Sequence, residues 1–133
     1  MKKATRSKSN DPTSLCKSKD PVAVRELLTK VGDKWSIFVL LSLKMFLNHR
    51  ARFSELERGI PGISQKMLTV TLRNLERDGL VLREHFPEVP PRVEYELTKF
   101  GESLLKPLQG LLDWVNDHSE QVRKSQSRFD NKK

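Results

Sequence analysis

Gln65, Lys66, Thr69, Val70 and Arg73 are spaced so that a helix would carry them on one side. Such a stripe can hydrogen-bond to a flat polar surface. An arginine fork can bind the O6 and N7 of guanine, and a glutamine amide can bind adenine with two bonds. Ser64 before the stripe and Arg77 after it extend the polar row, and both can take phosphate oxygens. No other group of residues assembles into a reactive set. His49, His85 and His118 fall on a connector, a strand and the C-terminal region. The acid pairs Glu55/Glu57 and Glu94/Glu96 read as solvated faces. The chain has no Gly-rich phosphate loop, no Ser-His-Asp set and no metal-ligand spacing. The expectation is a protein that is not an enzyme and needs no metal or cofactor.

The stripe needs a frame, and the flanking residues supply one. Leu68, Leu72 and Leu75 recur at i, i+4 and i+7, which predicts a helix over 64–78 with a leucine back. Ser64 is its N-cap, and Asp78-Gly79 stops it. A shorter helix precedes it, with Ser54 as cap, Glu57 as capping-box partner and Phe53, Leu56 and Ile60 as its apolar side. Pro61-Gly62 forms the corner. After Gly79, Leu80, Leu82 and Phe86 alternate with Val81, Arg83 and His85. Then Val93, Tyr95 and Leu97 alternate with Arg92, Glu94 and Glu96, which predicts a hairpin with a proline-stiffened tip at 87–91. Helix, turn, helix and hairpin in this order make a winged helix-turn-helix. Arg50, Arg52, Ser54 and Arg92 are the expected phosphate or minor-groove contacts around the reading helix.

Composition narrows the options. The 133 residues are 36% hydrophobic and 32% charged, with a formal charge of +8. That suits one domain. No apolar run is long enough to span a membrane, and the basic N-terminus lacks the apolar stretch of a signal peptide. Residues 1–19 carry six Lys/Arg against one acid and residues 119–133 five against two, so the tails hold the whole net charge. Within the neutral body, residues 44–77 hold seven Lys/Arg and three acids, whereas residues 93–118 hold two and five. The local excess of cations therefore coincides with the helix-turn-helix, as phosphate binding requires. Residues 1–19 are expected to be a disordered basic tail, 20–118 the domain and 119–133 a basic C-terminal tail.

The remaining helices suggest pairing. Asp20-Pro21 opens a helix with Val24, Leu27, Leu28 and Val31 on one side. Asp33 caps a second helix, apolar nearly all round, which is expected to be central and buried with Trp35 in the core. Thr98 caps a last helix in which Leu104, Leu105, Leu108, Leu111, Leu112 and Val115 crowd two faces beside Trp114. Pro107 and Gly110 are expected to bend it. Its apolar surface exceeds what a small domain covers, so Val24, Leu27, Leu28 and these residues are the candidate homodimer interface. A two-fold dimer presents two reading helices to a palindromic site. Cys16 is the one thiol, so it excludes an intramolecular disulfide and a cysteine-based zinc site, and a reducing cytoplasm fits best.

The ordered motifs closely resemble the HxlR-type winged-helix transcription regulators of bacteria, relatives of the MarR group. The matching residues are Gly32-Asp33-Lys34-Trp35, Arg52-Phe53-Ser54-Glu55-Leu56, Ile60-Pro61-Gly62-Ile63-Ser64 and Met67-Leu68-Thr69. They continue through Leu72-Arg73, Leu75-Glu76, Asp78-Gly79-Leu80-Val81, the wing run PEVPPRVEY at 87–95, Thr98, Gly101, Leu104 and Trp114. The resemblance implies an α+β, mainly α, winged helix-turn-helix fold with N- and C-terminal dimerisation helices. It also implies a sequence-specific DNA-binding regulator, a repressor or dual regulator, acting on double-stranded DNA as a homodimer under a small-molecule or oxidant effector. Several relatives sense oxidants through an N-terminal cysteine that directly precedes Pro-Val. Here Asp20 holds that place and Cys16 lies upstream as the candidate redox sensor, with Lys17 and Lys19 favouring its thiolate. The rival reading is a winged-helix protein–protein module without DNA binding. Such a module would carry an acidic or apolar face where this chain has Lys66, Arg73 and Arg77.

Overall fold

A computed structural model of the protein describes residues 20–132. The expected tail at 1–19, with Cys16, lies outside the described residues. Helix α1 spans Pro21–Val31 and α2 spans Lys34–Lys44. Both start where the sequence places a cap. Asp20 accepts from the Ala23 N–H at 3.1 Å, and Asp33 Oδ2 accepts from Trp35 and Ser36 N–H, which satisfies otherwise free donors of the first turn.

The expected connector at 48–52 has more structure than its polarity suggests. A single 3-10 turn at Leu47–His49 is followed by strand β1, Arg50–Arg52. Asn48 and His49 have φ of 60° and 54°, a left-handed corner that reverses the chain into the strand. Helix α3 is Phe53–Gly59 and α4 is Gln65–Arg77. The first starts two residues earlier than a Ser54 cap would give, with Arg52 at the cap, because the Glu55 carboxylate, not Glu57, accepts the Arg52 N–H at 2.8 Å. Ser64 does cap α4, accepting from Met67 N–H at 3.0 Å. Between the two helices, Gly62 takes φ of 85° at the Pro-Gly corner.

Strands β2 (Val81–Phe86) and β3 (Arg92–Leu97) form the wing hairpin, and β3 lies between β1 and β2 in an antiparallel sheet. The phase of β2 differs from the expected one. Val81, opposite Leu97, faces the core, while Leu82 is exposed. Leu80 is buried too, but as the helix-ending residue whose N–H bonds Leu75 O, so the strand's alternation begins one position later.

The core gathers on α2 and α4. Val39, Leu40, Leu43, Leu56, Leu68 and Leu72 are the most completely buried, each contributing roughly 1.5–3 kcal/mol relative to exposure. Helix α2 is central, but not covered all round: Phe38 and Met45 are 42% and 85% exposed, and Trp35 is half-buried. Helix α5, Lys99–Asp130, continues unbroken past Pro107 and Gly110, so the segment expected as a C-terminal tail is helical to Asp130. Its start is knotted to the rest. Thr98 Oγ1 donates to Gly79 O at 2.7 Å and accepts from Gly101 N–H at 2.9 Å. The helix comes so close to the end of α4 that a Cβ on Gly101 would sit 2.1 Å from Leu80 O.

Candidate nucleic-acid interface

The reading stripe is built as a two-sided helix. Leu68, Thr71, Leu72 and Leu75 turn α4 inward, and Ser64, Gln65, Lys66, Thr69, Arg73 and Arg77 are all exposed on its other sides. Thr69 Oγ1 is turned back onto Gln65 O at 2.9 Å. Gln65, Lys66 and Arg73 make no side-chain hydrogen bond to another described residue. They therefore keep full donor capacity for an external surface. Ser54, at the start of α3, and Arg52 are exposed too, and line a shared cleft with the wing-tip residues Glu88, Pro90, Pro91 and Arg92.

The wing cations are placed differently from expectation. Arg50, expected on phosphate, points to the outer face of the sheet and is held by three carboxylates. It donates to Glu94 Oε1 at 2.6 Å, to Glu96 Oε1 at 3.2 Å and to Glu84. The reason is register: β1 places Arg50 opposite Glu96, with Glu94 and Glu84 on the same face. Bonds to Glu94 and Glu84 raise the guanidinium's pKa above its ordinary value. The Glu94 carboxyl is lowered, first by the bond from Arg50. This site sustains a charge cluster that pins the three strands together.

Arg92 is also engaged. It donates to Glu88 Oε1 at 3.2 Å, its Nε sits 2.9 Å from Glu94 Oε2 in an ion pair lying off the hydrogen-bond direction, and its guanidinium stacks 4.1 Å from the Phe86 ring centroid. It stiffens the tip end of the wing. Sequence reasoning missed these pairings because the facing glutamates become visible only once the register of β1 is known.

The candidate pairing residues divide into two groups. Leu105 and Leu108 are buried in the domain's own core, and Leu104 packs against it, so none of the three is free for a partner. Spacing along α5 could not separate them from the rest, because its two apolar faces adjoin. Leu27, Leu28, Leu111, Trp114 and Val115 are between 44% and 60% exposed, and Val24 and Leu112 are half-buried. Helix α1 buries no residue at all. His118 stacks on Trp114 at 4.5 Å between ring centroids, and His49 is 2.8 Å from Glu102, so both have partners of their own. Among the described residues no group of His, Cys, Asp or Glu could hold a metal ion, and no helix is long and apolar enough to cross a membrane.

Known proteins share this arrangement. The model of HxlR-like helix-turn-helix proteins matches residues 30–123. An HTH-type transcriptional regulator of Methanothermobacter thermautotrophicus is 49% identical over 92 residues, covering 69% of this chain and 68% of that one. Among solved structures, the ytfH regulator of Salmonella typhimurium superposes with a TM-score of 0.71 at 38% identity, covering 78% of this chain and 90% of that one. The redox regulator HypR in its reduced form gives 0.67 at 35% identity, covering 77% and 98%. With a capped reading helix, a cationic outer stripe and a wing in the same order, the chain belongs to the HxlR-like helix-turn-helix family and is a DNA-binding transcription regulator.

Proposed function

We infer that the protein works in the cytoplasm as a homodimer that lays two copies of α4 into successive major grooves of a palindromic operator. The observation that carries this reading is the outer side of α4, where Gln65, Lys66 and Arg73 are exposed and uncommitted on a helix whose back is locked into the core. Lys66 and Gln65 lie in the first turn, where a helix entering the groove meets base edges. Thr69 and Arg73 follow about one and two turns on, and Arg52, Ser54 and Arg77 take phosphates.

Pairing is supported by α1, which buries none of its residues and leaves Leu27 and Leu28 exposed, and by Leu111, Trp114 and Val115 on α5. An apolar groove between Phe38, Met45, Pro61 and Leu112 offers a seat beside them. Repression follows if the dimer occludes a promoter. Redox control is the reading for Cys16, by analogy with the oxidised form of HypR and the diamide-treated form of YodB among the solved relatives.

Mobility shifts with the DNA upstream of the regulator's own gene test the assignment. A folded Gln65/Lys66/Arg73 triple-alanine variant should lose specific binding. Unchanged operator affinity would place the reading surface elsewhere.

A further inference from the structure

On the side of α4 away from the core, one residue interrupts the charge. Lys66, Val70, Arg73 and Arg77 recur at i, i+4, i+7 and i+11, which sets them in one row along the helix. Leu68, Thr71, Leu72 and Leu75 turn the opposite side inward. All four members of the row are exposed, and Val70 keeps 43% of its surface open. One edge of Val70 borders the cavity toward α1, and the other shares an open hollow with Arg73 and Arg77. Its burial therefore gives little to the fold. As a β-branched residue it is also a poorer helix former than the lysine and arginines around it. An isolated exposed valine is ordinary on a protein surface. One seated in the middle of a cationic reading row has a chemical consequence.

With α4 in the major groove, the placement on which the Val70 assignment rests, this row meets base edges. A valine side chain neither donates nor accepts a hydrogen bond, so it gains nothing from the polar edges of the bases. The one apolar group that the base pairs present in the major groove is the 5-methyl of thymine. We propose that Val70 is a specificity-determining residue that packs on the methyl of one thymine in each operator half-site. In a helix the χ1 of valine has one strongly preferred rotamer. Its two methyls are therefore held in a fixed direction before DNA arrives, and the contact costs little further ordering. Val70 and Arg73 are three residues apart, about 4.5 Å along the helix axis, against about 3.4 Å between base pairs. The thymine therefore lies about one or two base pairs from the base that Arg73 meets. Cytosine in its place would lack the methyl and present an amino group that valine cannot bind, so the contact selects thymine over cytosine.

Uracil is thymine without the methyl, and it is the probe. Specific binding of the full chain to thymine-containing DNA from upstream of its own gene is measured first. The same DNA, with uracil scattered in place of thymine, is then separated into bound and free fractions and cleaved at uracil. Wild type should exclude uracil from the bound fraction at one thymine in each half-site, by about 4-fold, the effect of withdrawing one methyl-sized group from water. Uracil at both thymines should weaken binding by about 15-fold. Val70→Ala, which favours the helix, should lose the interference at those thymines alone. It should keep the salt slope of binding, since no phosphate contact is removed. The wild-type arm needs no variant, so it stands whether or not Val70→Ala folds. Absence of specific binding to the thymine duplex would overturn the placement of α4 and this contact with it. Specific binding that uracil nowhere disturbs, or the same interference in wild type and in folded Val70→Ala, would overturn the contact alone.

Discussion

Replacing Arg50 with Met should cost stability rather than a DNA contact. The strongest lost bond is the one to Glu94, whose side chain is 17% exposed against 24% for Arg50. A charge-assisted hydrogen bond in such a setting contributes about 1.5–3 kcal/mol. The bonds to Glu84 and Glu96 involve carboxylates 47% and 35% exposed, so solvent reduces each to about 0–1 kcal/mol. Part of the first value is also screened, and about 2 kcal/mol is expected at neutral pH. For a chain of this size that lowers Tm by about 6–10 °C.

The pH dependence gives the cause. The folded Glu94 carboxyl titrates below its ordinary value of 4.5, chiefly because of Arg50. Its contribution is therefore fully present above that value and lost as pH falls through the depressed folded value. The raised value of Arg50 acts in the other direction; its contribution is complete below the ordinary arginine range and fades only above it. The wild-type and Arg50→Met stability curves, measured by urea titration monitored by circular dichroism, should thus be separated at pH 7 and converge only as pH falls below the ordinary carboxylate value of 4.5 and through the depressed folded one. A difference under about 0.5 kcal/mol at pH 7, together with a salt slope of DNA binding lowered by about one unit, would show that Arg50 serves phosphate instead.

Other substitutions separate roles that adjoin in the chain. Gly101→Ala should destabilise by about 1–3 kcal/mol or prevent folding, since its Cβ would meet the Leu80 carbonyl; wild-type thermal stability would refute the contact. Leu111→Glu should yield a folded monomer by light scattering, whereas Leu108→Glu should unfold the domain, because only the second side chain is in the core. Arg73→Ala should weaken specific operator binding by about 1–3 kcal/mol, and Arg92→Ala should loosen the wing with a smaller effect on base preference; a selective loss at one base pair in the Arg92 variant would reverse that assignment.

The local elements were legible because their signals are local. Asp20, Asp33, Ser64 and Thr98 each cap the helix that follows, and a cap needs only a side chain and the next few N–H groups. The leucine back of α4 was equally plain from its period. What escaped the sequence depends on pairs far apart in it. A three-residue β1 has too little pattern to announce itself, yet its register decides that Arg50 faces three glutamates. The phase of β2 was missed because Leu80 is buried by the helix-ending turn, not by the strand. Thr71 resembles a surface residue until its helix is docked.

These pairings change where DNA affinity should come from. The outer face of the wing sets Arg50 and Arg92 against Glu84, Glu88, Glu94 and Glu96. Arg52, opposite Glu94, shares that face; four carboxylates against three guanidiniums leave it anionic, so the paired Arg50 and Arg92 cannot act as free phosphate anchors. The cations of the reading helix are different: Lys66, Arg73 and Arg77 on α4 are all exposed. The counterion release that drives binding should therefore follow α4, each lost phosphate contact lowering the salt slope by about one unit. The wing's part is shape. Glu94, shared by both arginines, couples β1 to the tip end of the hairpin, and a rigid wing tip restricts how α4 can be set into the groove.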